Sequence, residues 1–175
     1  MAVYDRFSRW LHGVLGFLIT ILLVIGFVME SMPFSALKWR LYYWHKLFGL
    51  IVLAGMVIRL GWRLRFPWLS YDNEILRWQA YLSRLVHSLL YILGILMPIS
   101  GWVMSVAAQH APKIFGWVLS LPIVPSRTLV SQANQTHFWL AWLLVGFISF
   151  HICGVIVHGF NEHGIIWRMW QKKRS

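Results

Sequence analysis

The sequence predicts an all-α membrane protein built as a bundle of four transmembrane helices. Of the 175 residues, 59% are hydrophobic and 12% are charged, whereas soluble proteins are about 45–50% apolar and about 25% charged. Four apolar runs each reach about the 20 residues that a helix needs to cross about 30 Å of hydrocarbon. None alternates apolar and polar residues as a barrel strand would, so helices are the only spanning form left.

The four predicted spans cover residues 10–29, 43–62, 85–107 and 136–160, within one domain of residues 1–175. The first span contains no small-residue cleavage site, so we expect a retained anchor rather than a signal peptide. A short turn with Pro33 follows it. A polar link covers residues 63–84, and a longer loop carries Pro112, Pro122 and Pro125.

Basic residues predict the orientation. The side that holds both termini collects Arg6, Arg9, Arg59, Arg63, Arg65, Arg77, Arg84, Arg168, Lys172, Lys173 and Arg174, and the other side Lys38, Arg40, Lys46, Lys113 and Arg127. This bias predicts a multi-pass membrane protein with both termini in the cytoplasm. The net charge of +11 lies at the ends of apolar runs, which indicates lipid as the partner and excludes a nucleic-acid-binding face.

Eight histidines accompany only five carboxylates. Six of them lie within or at the ends of the spans: His12, His45, His87, His137, His151 and His158. A single such histidine more often bonds a neighbouring helix or faces the headgroups. Six together indicate a function, because ionisable groups are costly in hydrocarbon.

The spacing of four of these histidines predicts two pairs at two depths. His137 and His151 are 14 residues apart. On a helix, their side chains therefore point within about 40° of the same direction and lie about 21 Å apart along the axis. His12 opens the first span on the cytoplasmic side, and His45 opens the second on the periplasmic side. We therefore expect His12 with His151, and His45 with His137, to ligate the irons of two haems b. A zinc site would cluster its ligands at one depth, and a proton relay would normally include an intramembrane Asp or Glu, which the spans lack.

Three further residues form a second tier of binding candidates. His87 and His158 lie toward the cytoplasm, where they would bond a haem propionate or line a quinone pocket; the plainer interpretation is interfacial histidines without a specific partner. His158 is also the alternative to His151 as a ligand. Arg59 would neutralise propionates of the cytoplasmic haem, unless it only reaches toward the headgroups.

Six short motifs are spread over nearly the whole chain: SRWLH at 8–12, WHKLFG at 44–49, VIRLGWR at 57–63, HSLLY at 87–91, THFWLA at 136–141 and HICGVIVH at 151–158. Together they resemble the motifs of the bacterial cytochrome b561 family. The resemblance implies a four-helix bundle with two b haems, whose axial ligands map onto His12, His45, His137 and His151. It also implies a quinone-linked electron carrier. One branch of the family passes electrons from superoxide to ubiquinone, and other relatives serve dehydrogenases or hydrogenases as cytochrome b subunits.

We therefore expect transmembrane electron transfer between an outer-face donor and the quinone pool, with ubiquinone as the substrate. In the bacterial inner membrane that the resemblance implies, electrons would enter at the level of His45 and His137 and move to that of His12 and His151. Quinone could meet either haem. Superoxide is one candidate donor, because the five basic residues of the outer side would steer this anion toward the protein. With superoxide as the donor, the enzyme class would be a superoxide:quinone oxidoreductase. Otherwise the chain is an electron carrier for a periplasmic donor. The alternative function is a membrane anchor that conducts electrons for a separate redox subunit.

Overall fold

A computed structural model describes residues 5–65, 77–114 and 116–160, with side chains as far as Val157. Its elements in chain order are α1 (Arg6–Ser31), α2 (Ala36–Arg65), α3 (Arg77–Ala107), β1 (Lys113–Ile114), β2 (Trp117–Val118) and α4 (Arg127–Phe160). All four helices are long and apolar enough to cross a membrane. The predicted four-helix membrane architecture is confirmed.

Each helix is longer than the span that hydropathy predicted. α1 begins four residues earlier, because Asp5 caps it: its carboxylate accepts a hydrogen bond from the Ser8 amide at 3.3 Å. α4 begins nine residues earlier, and the Ser126 hydroxyl accepts from the Leu129 amide at 3.4 Å. Hydropathy detects only the part of a helix that lies in hydrocarbon. The helices continue into the polar interface, where capping side chains satisfy their first amides.

The helices pack against their neighbours in chain order, and α3 and α4 share the most extensive contact. Leu11 and Leu15 of α1 meet Val52 and Met56 of α2 in a buried cluster. Gly55 lets α1 approach, because a Cβ there would lie 2.6 Å from the Leu15 Cδ2. Small residues at helix contacts allow this close packing where lipid provides no hydrophobic drive.

Large apolar side chains cover the outside of the bundle, as lipid contact requires. Phe17 and Phe150 are 66% and 70% exposed. Trp10 and Trp78 are more than half exposed close to helix termini, the level at which amphipathic indoles anchor a protein to the membrane surface.

The connection from α3 to α4 contains a short hairpin where the sequence predicted only a loop. β1 and β2 pair antiparallel, with Lys113 opposite Val118. Gly116 provides the turn with a φ of 85°, in the left-handed region that glycine tolerates. The Trp102 indole donates to the Leu119 carbonyl at 2.9 Å. This bond holds the connection against the end of α3.

Candidate functional site

Two groups of histidines lie between the helices, one toward each end of the bundle. We call the end with the α1–α2 turn and the α3–α4 connection the outer end, and the opposite one the inner end. At the outer end, His45 of α2 faces His137 of α4, with ring centroids 6.3 Å apart and ring planes at 75°. At the inner end, His12 of α1 faces His151 of α4 at 5.9 Å and 81°. The structure thus brings together both pairs that the spacing predicted.

The two separations fit imidazoles that share one metal. Metal–imidazole bonds measure about 2.0–2.1 Å, so two nitrogens on opposite sides of an ion stand about 4 Å apart. Their ring centres then lie about 6 Å apart, which agrees with 5.9 and 6.3 Å. Each member of a pair comes from a different helix, so a group bound by both imidazoles would join two helices.

Hydrogen bonds to His137 fix which of its nitrogens carries the proton. The Ser100 hydroxyl donates to the Met97 carbonyl at 2.7 Å, so toward His137 its oxygen acts as an acceptor. The His137 Nδ1 lies 2.9 Å from this oxygen and 3.1 Å from the Met97 carbonyl oxygen. Nδ1 is therefore the protonated nitrogen, and Nε2 keeps a lone pair. Ligating histidines in metalloproteins are oriented by such bonds.

His45 offers a different indication of a missing partner. Its Nδ1 is buried and has no hydrogen-bond partner among the residues that the structure describes. An unsatisfied buried polar group costs about 1–3 kcal/mol. A metal bound at this nitrogen would give it the partner that it lacks. This makes His45 a fitting haem ligand.

Glycines lie against the outer pair and provide space for its rings. A Cβ at Gly101 would lie 3.0 Å from the His137 Cε1, and one at Gly26 would lie 3.5 Å from the His45 Cε1. The glycines that follow the predicted ligands by three or four residues, Gly16, Gly49 and Gly154, face open space instead.

A cavity of about 290 Å³ adjoins the outer pair. His45 and His137 line it together with Gly26 and Met97, and Glu30, Asn134 and Gln135 add polar groups to its lining. Glu30 lies just beyond the predicted first span, but α1 continues to Ser31 and carries it into this lining. An acidic side chain therefore accompanies the outer histidines.

The inner end contains a third histidine. The His87 ring lies 5.0 Å from the His151 ring, with planes at 85°, and its Nδ1 lies 2.6 Å from the Ser83 carbonyl oxygen. This approach is shorter than the separation of about 6 Å between ring centres on opposite sides of one metal. The His158 side chain lies outside the described part of the chain.

Arg59 lies at the inner end, as predicted. Its Nη1 donates to the Ser8 carbonyl at 2.9 Å, and its guanidinium lies 5.8 Å from the centre of the Tyr91 ring. Ser8 precedes His12 by four residues, about one helical turn. Because a guanidinium has five N–H donors, this bond leaves donors for an anionic group near His12.

Among residues 5–65, 77–114 and 116–157, no three His, Cys, Asp or Glu side chains come close enough to hold a metal ion. A haem, however, provides the four equatorial nitrogens itself and needs two protein ligands at most. Pairs of histidines are therefore the donor set that suits it.

The residues around the outer pair were missed in the sequence. Ser100 and Gly101 follow Pro98 within an apolar span. Small and polar residues there are a signal of helix contact, but the spacing gives no hint that they face His137, because this contact joins α3 to α4.

Comparison with known proteins agrees with this geometry. The family model that describes prokaryotic cytochrome b561 matches residues 3–172. The chain is also similar to cytochrome b561 homolog 2 of Escherichia coli (strain K12), with 29% identity over 133 residues that cover 75% of this chain and 71% of the relative. The chain therefore belongs to the prokaryotic cytochrome b561 family, whose members are membrane b-type cytochromes that bind haem b and take part in electron transfer.

Proposed function

We propose that this chain binds two b haems and transfers electrons across the bacterial inner membrane between an outer-face donor and the quinone pool. His12 with His151 would hold one haem, and His45 with His137 the other. The observation that carries the proposal is the meeting of imidazoles from different helices at two depths, each pair with ring centres about 6 Å apart. The proposed unit is a single domain of residues 1–175 with both termini in the cytoplasm, where most of its Lys and Arg would lie.

The protein's part in this function is to ligate, orient and shield. Haem supplies one-electron oxidation and reduction at its iron. Two histidines for each haem would leave no open position at the iron for oxygen, which favours electron transfer over oxygen binding. Ser100 and the Met97 carbonyl hold the His137 ring in one tautomer and orientation. The 14 residues between His137 and His151 separate the two levels by about 21 Å along α4.

The second-tier residues receive supporting roles. Arg59 would pair with carboxylates of the inner haem, because its cation lies within the bundle and still has donors to offer. His87 would shape the space beside His151 rather than ligate, since its ring approaches to 5.0 Å. His158 stays a candidate for a propionate or quinone contact and the alternative to His151.

Superoxide is the donor we propose first. The predicted outer side carries Lys38, Arg40, Lys46, Lys113 and Arg127, and its two connections hold no acid between residues 31 and 46 or 108 and 135. A positive surface raises the encounter rate with a small anion. Ubiquinone would be the electron acceptor: two superoxide ions would each lose one electron to give O₂, and ubiquinone would take up the two electrons and two protons to give ubiquinol. The chain would then be a superoxide:quinone oxidoreductase.

A second candidate function is favoured by one surface feature. Trp117 and Val124 on the α3–α4 connection are 80% and 83% exposed, although this segment is not a membrane helix. Exposed apolar residues of this kind suit a protein partner. The chain would then be the membrane anchor and electron conduit of a separate redox subunit.

Two measurements test the proposal in turn. A pyridine haemochrome assay on the purified chain should give two b haems per polypeptide; a colourless protein or a ratio of one would refute the two pairs. The same preparation should then reduce ubiquinone when superoxide is generated beside it. If two haems are present but superoxide drives no quinone reduction, the conduit for a separate subunit is the better function.

A further inference from the structure

The two histidine pairs offer the same ligands but lie among different charges. Each pair consists of two imidazoles, so the identity of the axial ligands gives the two haems no difference in reduction potential. The protein can still set the two potentials apart through the hydrogen bonds to the ligands and the charges around them. Both of these differ between the inner and the outer end of the bundle.

A cation lies beside the inner pair, within the bundle. Arg59 is close enough to act electrostatically on the imidazoles of both His12 and His151. Two contacts hold it there: its Nη1 donates to the Ser8 carbonyl at 2.9 Å, and its guanidinium lies 5.8 Å from the centre of the Tyr91 ring. A guanidinium stays protonated in proteins, so its positive charge stabilises the reduced form of a nearby iron at any physiological pH.

Carboxylates do little to offset this cation. Residues 5–65, 77–114 and 116–160 contain two acids, Asp5 and Glu30. Asp5 belongs to the inner end, but its carboxylate is exposed and caps α1, where it accepts from the Ser8 amide at 3.3 Å. Solvent screens an exposed charge more than one within the bundle. Among the described residues, the inner pair therefore has a positive surrounding.

An acid and two hydrogen-bond acceptors accompany the outer pair instead. Glu30 lines the same cavity as His45 and His137. The Met97 carbonyl and the Ser100 hydroxyl accept from the His137 Nδ1–H, which makes this imidazole a stronger electron donor. A nearby carboxylate and an electron-rich ligand both stabilise the oxidised form of an iron. The outer level therefore favours the oxidised state.

Lys46 is the cation next to the outer pair in the chain, but it is turned away from the pair. It directly follows His45, and successive side chains of a helix point about 100° apart. Its ammonium donates to the His110 carbonyl at 3.0 Å and lines a separate cavity of about 340 Å³. Among the described residues, no Lys or Arg lines the cavity of the outer pair.

We propose that Arg59 and Glu30 give the inner haem the higher reduction potential, so that electrons run downhill from the outer level to the inner one. The inference rests on the proposed function and supplies the driving force for its direction. The transfer moves one electron from the ferrous outer iron to the ferric inner iron, and no bond forms or breaks. Neither residue ligates iron; both act through the electrostatic field at the two levels.

Variants with one haem assign each potential to its level. Potentiometric titrations followed by visible spectra are run on the haem-loaded protein in nanodiscs of neutral lipid. His45→Ala should keep only the inner haem and His12→Ala only the outer one, and the inner haem should be reduced at the higher potential. The wild-type protein should show both potentials, about tenfold apart in the equilibrium constant for reduction, or about 60 mV for a one-electron couple.

Charge variants test the cause of this gap. Arg59→Gln should lower the equilibrium constant for reduction of the inner haem about tenfold, because it removes a full charge from a medium of low dielectric constant. Arg59→Lys keeps the charge and should restore most of the potential. Glu30→Gln should raise the constant of the outer haem about threefold. Arg65→Gln removes an exposed cation of the same helix; it is the matched control and should leave both potentials in place, because solvent screens that charge.

The outcomes separate this inference from the proposed function. If the wild-type protein binds fewer than two haems, the proposed function fails. Two haems with equal potentials, or with the higher potential at the outer level, would overturn the inference alone. So would an Arg59→Gln variant that keeps both haems and both potentials. If Arg59→Gln loses the inner haem, Glu30→Gln decides, and a gap between the potentials that stays as in the wild type refutes the inference.

Discussion

Ser100→Ala is the sharpest test of how the outer pair is held. Ser100 is 8% exposed on α3 and accepts from the His137 Nδ1–H at 2.9 Å. An acceptor at Nδ1 makes the opposite nitrogen a better electron donor, which stabilises the oxidised iron of a ligated haem. The alanine variant should therefore raise the reduction potential of the haem that we assign to His45 and His137.

The magnitude follows from the hydrogen bonds that remain. One neutral hydrogen bond contributes about 0.5–1.5 kcal/mol, which corresponds to about 20–60 mV for a one-electron couple. The Met97 carbonyl still accepts from the same Nδ1 at 3.1 Å. The shift should accordingly lie in the lower half of this range, and the ring should keep its tautomer.

A potentiometric titration followed by visible spectra resolves the two haems. Ser100→Thr keeps a hydroxyl and should return the potential to near the wild-type value. Ser105→Ala is the matched control, because Ser105 is also buried on α3, at 4% exposure, but lies five residues further along. Ser105→Ala should leave both potentials in place.

Two results would contradict this reasoning. The first is an unchanged pair of potentials in Ser100→Ala despite full haem content, which would mean that the Ser100 hydrogen bond does not tune this haem. The second is a shift of the other haem only, which would mean that the two levels are assigned in reverse. A loss of thermal stability without a change in potential would show that Ser100 has a structural role alone.

Further predictions concern haem content. His45→Ala should leave one haem of two by pyridine haemochrome, and His12→Ala should remove the other; full content in either variant contradicts the pairing. Gly101→Ala should lower occupancy of the outer level, because its Cβ would lie 3.0 Å from the ligand ring. His87→Ala should keep two haems with an altered spectrum at the inner level, and the loss of one would make His87 a ligand.

The four membrane helices were predictable because hydrocarbon imposes a length and a composition that any sequence displays directly. Their ends were not, since Asp5 and Ser126 act as caps in the polar interface, where hydropathy carries no signal. The hairpin at Lys113–Ile114 and Trp117–Val118 was missed for a related reason: two-residue strands are too short for a periodic pattern.

The sequence by itself determined the membrane helices, the family and the two histidine pairs, because ligands on one helix repeat with its period and the chain alternates sides at each crossing. Only the tertiary structure decided what surrounds those pairs. Ser100 and Gly101 reach His137 from another helix, and Lys46 donates to the His110 carbonyl across 64 residues of chain. Spacing along a helix is fixed by backbone geometry, whereas contacts between helices depend on how side chains pack.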